Sequence, residues 1–271
     1  MALSLSVAFA APAQARVGVA TSTAVSAADA AFAASVAASG TSGALAVVVA
    51  PLQTADGAVA LADRTSSPVA NALADEPFYT ASLSKLFVVE DVLHRARTGA
   101  LTLTTADRQL LMSMLVTSDD PAMSTAWDRW GGTQMVTDVA TRYGLTGTAG
   151  PADPGQWGET VTTAADVARF LSALSVTADP ADATTMRFWL ALATPAGADG
   201  FDQSFGLMAP GAPGAIAAKQ GWMCCVDGAR DLHSVGVVDG EVVVLLSRTP
   251  TGAGWDVGRA AVDAAAAALR G

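Results

Sequence analysis

The sequence predicts a mixed α/β architecture: an antiparallel five-stranded sheet flanked by terminal helices, with an all-helical block inserted between its two halves. Three observations predict it. Short β-favouring apolar runs lie near both ends of the chain, helical periodicity dominates from Leu103 to about Leu174, and Asp239-Gly240 joins two C-terminal runs as a two-residue hairpin turn. Strands at both ends with helices between them call for one sheet that gathers them, since each strand alone leaves an apolar face open.

The elements follow in order. Residues 27–38 are alanine-rich, free of Gly and Pro, and preceded by Ser26 as a helix cap. Residues 44–49 form a strand, which 58–62 joins across Thr54-Ala55-Asp56-Gly57, a turn with glycine where a positive φ is wanted. A loop over 65–76 leads into a helix over 78–93, and no convincing strand interrupts the helical pattern over 103–174. A Gly- and Pro-rich loop over 194–213 then gives way to strands over 215–225, 232–238 and 241–247 and a closing helix over 257–269. The resulting division is an α/β part over about 26–85 and 190–271 and a helical part over about 86–189.

Bulk properties narrow the partners. A net charge of −10 repels phosphate backbones and acidic lipid surfaces, which argues against nucleic acid and for a small-molecule or cell-wall peptide substrate. No apolar run approaches the ~20 residues of a membrane span. Residues 1–15, MALSLSVAFAAPAQA, read as the apolar core of a secretory signal ending in a small-x-small site, with the mature chain starting near Arg16. Nothing positive precedes Arg16, so an alanine-rich tail is the other reading. Export would place the protein outside the cytoplasm: secreted, periplasmic or cell-wall associated.

Cys224 and Cys225 are neighbours and cannot staple distant segments. They read as buried free thiols on a strand, with a redox-responsive vicinal disulfide as the alternative. His94 and His233 have no partner at ligand spacing, so no metal is expected and each reads as a surface or helix-end histidine. No cofactor is implied.

The chemistry concentrates in FYTASLSKLFVVEDVL, residues 78–93. Ser82 and Lys85 are three residues apart at the head of a helix that is apolar on all sides, so they can touch. Burial disfavours the ammonium, which makes a neutral amine accessible as a base toward the serine hydroxyl. The helix start adds backbone N–H groups suited to a developing oxyanion. Two further segments add weight: Ser118-Asp119-Asp120 in a tight loop between helices, and Lys219-Gln220-Gly221 inside an apolar strand, where a lysine demands an explanation.

Ser82-Leu83-Ser84-Lys85, Ser118-Asp119-Asp120 and Lys219-Gln220-Gly221 together resemble the S-x-x-K, S-D-N and K-T-G boxes of the class A β-lactamase and penicillin-binding protein superfamily. The likeness takes in Gly131-Gly132, Thr160-Val161-Thr162-Thr163 before the helix over 164–174, the closing hairpin and the last helix. It implies an active site in the cleft between the sheet and the helical block. By resemblance, Ser82 is the nucleophile, Lys85 its proton acceptor, Ser118 a proton relay to the leaving group, and Lys219 the group that holds Ser118 and attracts a substrate carboxylate. The backbone N–H groups of Ser82 and Trp222 would form the oxyanion hole, with Asp120, Gln220 and Gly221 lining the substrate.

The sequence departs from that pattern in three places. Asp120 replaces an asparagine, so a carboxylate that only accepts stands where an amide donates, and an anion near Lys85 favours its ammonium. Gln220 replaces a hydroxyl residue, and its longer amide alters the pocket for a substrate carboxylate. The segment 146–159 is short, and neither of its carboxylates, Asp153 and Glu159, can be matched to a deacylating base. The expectation is a serine hydrolase or acyltransferase with an acyl-Ser82 intermediate and little β-lactam turnover, or a penicillin- or cell-wall-binding pseudoenzyme on the same fold. Trp127, Trp130, Trp157 and Trp189 read as packing residues, with Trp157 and Trp222 bordering the cleft.

Overall fold

The protein is described here as a computed structural model covering residues 29–30, 43–53, 68–211 and 216–269. The expected signal, nearly all of the helix expected over 27–38, and the strand expected over 58–62 with its turn lie outside the described residues. In chain order the elements are β1 (Ala44–Pro51), β2 (Val69–Ala70), β3 (Phe78–Tyr79), α1 (Ser84–Arg97), α2 (Thr105–Val116), α3 (Asp120–Trp130) and α4 (Thr133–Tyr143). Then come β4 (Val161–Thr162), α5 (Ala164–Thr177), α6 (Pro180–Ala191), β5 (Ile216–Cys224), β6 (Ala229–Val238), β7 (Glu241–Pro250) and α7 (Trp255–Ala268).

The two chain ends do build one antiparallel sheet, five-stranded in the order β2-β1-β7-β6-β5. β1 pairs with β7 along its whole length, from Ala44 opposite Arg248 to Pro51 opposite Glu241. Asp239 and Gly240 turn β6 into β7 with φ of 50° and 83°, the positive pair that matches the right-handed twist of the strands. Two expectations are corrected: β2 lies in the expected loop over 65–76 and pairs with β1, and β4 interrupts the helical stretch and pairs with β3. Two residues of strand are too short for periodicity to register.

Side-chain alternation sends each inner strand to two cores. Leu45 and Val47 of β1 and Val243 and Leu245 of β7 pack with Val262, Ala265 and Ala266 of α7. Ala46 and Val48 of β1 and Val242, Val244 and Leu246 of β7 face the larger core, which takes in α1 to α6. The alanines of α7 let it lie close on the sheet. α1 runs through the larger core, with every residue from Ser84 to Leu93 buried. Thr104 and Asp107 form a reciprocal capping box at α2, and Asp119 caps α3.

α1 also carries acids into the core. Glu90 is 2% exposed, accepts a hydrogen bond from Tyr143 Oη at 3.0 Å and faces Arg142 at 3.3 Å. Burial pushes its carboxyl up to about 7, against the opposing pull of Arg142 and Tyr143. Because the folded value lies above the ordinary one, the linked stability is fully present below pH ~4.5 and is lost as the pH rises through ~7. Glu90→Gln keeps the shape and the bond from Tyr143 but removes the titration. Urea unfolding at pH 5 and pH 8 should show the wild type losing about 2 kcal/mol relative to this variant across the interval. Parallel curves would place the titrating group elsewhere.

Candidate active site

The site forms where three segments meet. The first is the run from β3 into α1. Thr80 N–H donates to Thr160 O at 2.7 Å, tying this run to β4, and the chain then makes a 3-10 turn, Ala81–Leu83, before α1 begins. Ser82 therefore sits on the turn and Lys85 in the first turn of α1, rather than both on one α-helix as the sequence suggested. The contact survives for a physical reason: residues three apart eclipse in 3-10 geometry. Lys85 Nζ lies 2.7 Å from Ser82 Oγ, with Lys85 fully buried and Ser82 3% exposed.

The second segment is the loop between α2 and α3. Asp119 accepts from Ala122 N–H at 2.9 Å and so fixes the start of α3, which leaves Ser118 at φ 54°. Ala81, beside the other serine, has φ 47°. Non-glycine residues avoid this region, and here two of them stand at the Ser82–Lys85–Ser118 cluster. Lys85 Nζ reaches Ser118 O at 3.0 Å, Ser118 Oγ at 3.4 Å and Asp120 Oδ1 at 2.5 Å. Asp120 is thus turned onto Lys85, with its side chain 47% exposed. Burial pushes the Lys85 ammonium below its ordinary value, Asp120 pulls the other way, and burial wins.

The third segment is β5, the edge strand. Lys219, 1% exposed, donates to Ser118 Oγ at 2.7 Å and to Gln220 O at 2.8 Å. Burial and then the neighbouring Lys85 hold its ammonium well below the usual range. Ser118 Oγ is therefore shared between two lysines, which explains the charge that the sequence placed inside an apolar strand. A Cβ on Gly221 would stand 3.1 Å from Thr80 O and 3.3 Å from Leu83, so glycine lets the strand lie against the turn that carries Ser82.

Several expected neighbours are placed differently. The Gln220 amide is fully buried and donates to Gln203 O at 3.1 Å and Phe205 O at 2.5 Å, so both its donors serve the loop behind β5 rather than a substrate carboxylate. Asp153 is exposed and accepts from Gly155 N–H at 3.0 Å, while Glu159 ends the 3-10 turn Trp157–Glu159. Among the described residues, no hydrogen bond links either carboxylate to Ser82 or Lys85.

His233, expected at the surface, is fully buried in β6. Its Nδ1 accepts from Ser247 N–H at 3.2 Å, so Nε2 carries the proton and donates to Tyr79 O at 2.8 Å. Burial lowers its pKa to about 4, which keeps the ring neutral at physiological pH. Cys224 and Cys225 are joined in a vicinal disulfide and both are exposed, against the expectation of buried thiols. The packing role expected of Trp127, Trp130 and Trp189 fits their burial.

Three features lay beyond sequence reasoning. Trp157, expected only to border the cleft, places its ring centroid 4.7 Å from Lys85 Nζ. Trp222 stacks on Phe201 with centroids 4.7 Å apart, and its Nε1 donates to Asp199 Oδ2 at 3.1 Å. The Asp199-Gly200 turn reads as one more surface loop until Phe201 is seen against Trp222. The His233 bridge had no sequence signal, because a lone histidine on an apolar strand carries no spacing to interpret.

No family model matches the chain. Curated relatives from Mycobacterium tuberculosis and Mycobacterium bovis, each named "Putative lipoprotein LppW", are 38% identical over 199 residues, which is 71% of this chain. The chain spans 63% of the length of those relatives. Among solved structures, a β-lactamase from Chitinophaga pinensis matches with a TM-score of 0.69 at 13% identity, over 90% of this chain and 97% of that one. A β-lactamase from Xanthomonas campestris matches at 0.66 and 20% identity, over 89% and 96%. One from Sphaerobacter thermophilus matches at 0.65 and 18%, over 89% and 95%. At such identities the likeness speaks for architecture alone, and the chain has the fold of the serine β-lactamases.

Proposed function

We propose that the chain is a serine hydrolase or acyltransferase that works through an acyl-Ser82 intermediate on amide or ester bonds, β-lactam and D-Ala-D-Ala groups being the examples the resemblance supplies. One observation carries this reading. Lys85 Nζ has four polar neighbours, Asp120 Oδ1 at 2.5 Å, Ser118 O at 3.0 Å, Ser82 Oγ at 2.7 Å and the more distant Ser118 Oγ at 3.4 Å, and when unprotonated it has two N–H donors and one lone pair to share among them. The first two only accept. The lone pair is left for the Ser82 hydroxyl, as a general base requires.

In the proposed step, Ser82 Oγ bonds to the acyl carbon as its proton passes to Lys85 Nζ. Ser118, oriented by Lys219, returns a proton to the leaving group, and the N–H groups of Ser82 and Trp222 receive the oxyanion. With neither Asp153 nor Glu159 set to activate water, the acyl-enzyme is long-lived. The relatives' name and the apolar N-terminal segment support a place in the cell envelope or outside the cell.

Asp120 on Lys85 supports a second reading, a binding protein that no longer turns over, because an anion there favours the ammonium. Intact-mass measurement over hours with a penicillin, on the wild type and on Ser82→Ala, separates the two. A slowly formed, persistent adduct, absent from Ser82→Ala, is expected. Rapid penicillin hydrolysis would defeat the long-lived intermediate, and no adduct with penicillins or with simple activated esters would leave the binding protein.

A further inference from the structure

We infer that the cleft selects acyl donors that carry an uncharged or cationic group beside the scissile carbonyl and discriminates against a carboxylate there; this rests on the acyl-Ser82 reading. A carboxylate needs unoccupied donors or an unpaired cation. The cleft keeps both out of an entering group's easy reach. Lys85 Nζ is surrounded by Ser82, Ser118 and Asp120, whose carboxylate oxygen at 2.5 Å already occupies the place a substrate carboxylate would take. Lys219 Nζ has no carboxylate partner, but it is 1% exposed and already donates to Ser118 Oγ at 2.7 Å and Gln220 O at 2.8 Å. The Gln220 amide, the remaining donor of the third box, is turned onto Gln203 O and Phe205 O.

Arginine does not fill the gap. Arg259, which stacks over Phe201, donates to Asp202 O at 2.6 Å and faces the Asp202 carboxylate at 3.5 Å. Arg230 donates to Thr251 O and Ala253 O. Neither is a free counterion for an entering anion.

What the cleft presents to an entering group is acidic and aromatic. Asp120 stands on the α3 side with its carboxylate partly in solvent, and exposed Asp199 stands on the β5 side, joined to Trp222 Nε1. The field of both reaches the lysines: Asp120 and Asp199 each raise the affinity of Lys85 and of Lys219 for a proton, and burial outweighs them. Trp222, with Phe201 stacked on one face and Lys219 Nζ 5.8 Å away, and Trp157, with Lys85 Nζ over its ring, make the wall aromatic. Ring faces with nearby carboxylates attract an ammonium and accept a neutral apolar group. They offer a carboxylate only repulsion.

Three p-nitrophenyl esters of equal chain length, ending in a methyl, a trimethylammonium and a carboxylate group, test this on the full chain. In each, Ser82 Oγ bonds to the acyl carbon, the serine proton goes to Lys85 and p-nitrophenolate leaves. At low salt the acylation rate should fall in the order ammonium, methyl, carboxylate, by roughly three- to tenfold per carboxylate felt in the cleft. The spread should shrink at high salt and in Asp199→Asn, read as the ratio of the ammonium to the carboxylate ester within each protein. A carboxylate ester that acylates Ser82 as fast as the methyl ester, or a ratio that Asp199→Asn leaves unchanged, overturns the charge selection alone. Failure of all three esters to label Ser82 in an otherwise folded protein overturns the acyl-enzyme reading, and the selection with it.

Discussion

Lys85→Met is expected to slow acylation of Ser82 by about 10²- to 10⁴-fold, the usual worth of a positioned general base, without lowering the stability of the fold. The two halves of that expectation have one origin. Lys85 is fully buried in a helix whose neighbours are Leu83, Leu86, Phe87 and Val88, all fully buried too. Desolvating an amine there opposes folding, and an unbranched apolar side chain of similar length fills the same space without that cost. Asp120, with 47% of its side chain exposed, returns to water when its partner goes. Thermal unfolding should therefore give an equal or higher Tm than the wild type, while the release of p-nitrophenolate from the methyl ester falls. A Tm that drops together with the rate would mean that Lys85 serves packing. An unchanged rate would remove it from the chemistry.

Asp120→Asn should move the rate the other way, by roughly one to two orders of magnitude near neutral pH. Burial lowers the Lys85 pKa and Asp120 raises it. Asparagine keeps a carbonyl oxygen to accept the same N–H but removes the anion that most opposes burial, so the pKa falls further and the amine fraction at pH 7 grows. An adjacent charge typically shifts a pKa by about one to three units, which sets the size of the gain. The acid limb of the acylation profile should move to lower pH by the same amount. An unmoved limb would mean that a group other than Lys85 titrates there.

How far the sequence carried the interpretation follows from the kind of signal each residue leaves. The Asp239-Gly240 turn, the paired C-terminal strands and the buried helix were legible because turn chemistry and apolar runs are local. Ser82 beside Lys85 was legible too, since three residues is a short reach in either helix type. β4 was not, because its strand partner, β3, lies more than eighty residues away in the chain. The orientation of Gln220 was equally hidden: nothing in K-Q-G says that the amide meets Gln203 O and Phe205 O, and only the packed loop decides it. Asp199, Trp157 and His233 belong to the same class, residues whose partners are chosen by tertiary structure.

The His233 bridge gives the protein an acid threshold. As an uncharged ring it accepts a hydrogen bond from the Ser247 amide and donates one to the Tyr79 carbonyl, three residues ahead of Ser82. Near pH 4 it gains a second proton, and two donors then confront each other between β6 and β7. The linchpin that aligns the turn carrying Ser82 with the sheet interior would thus fail from within, so strong acidification unseats Ser82 through a residue buried behind it.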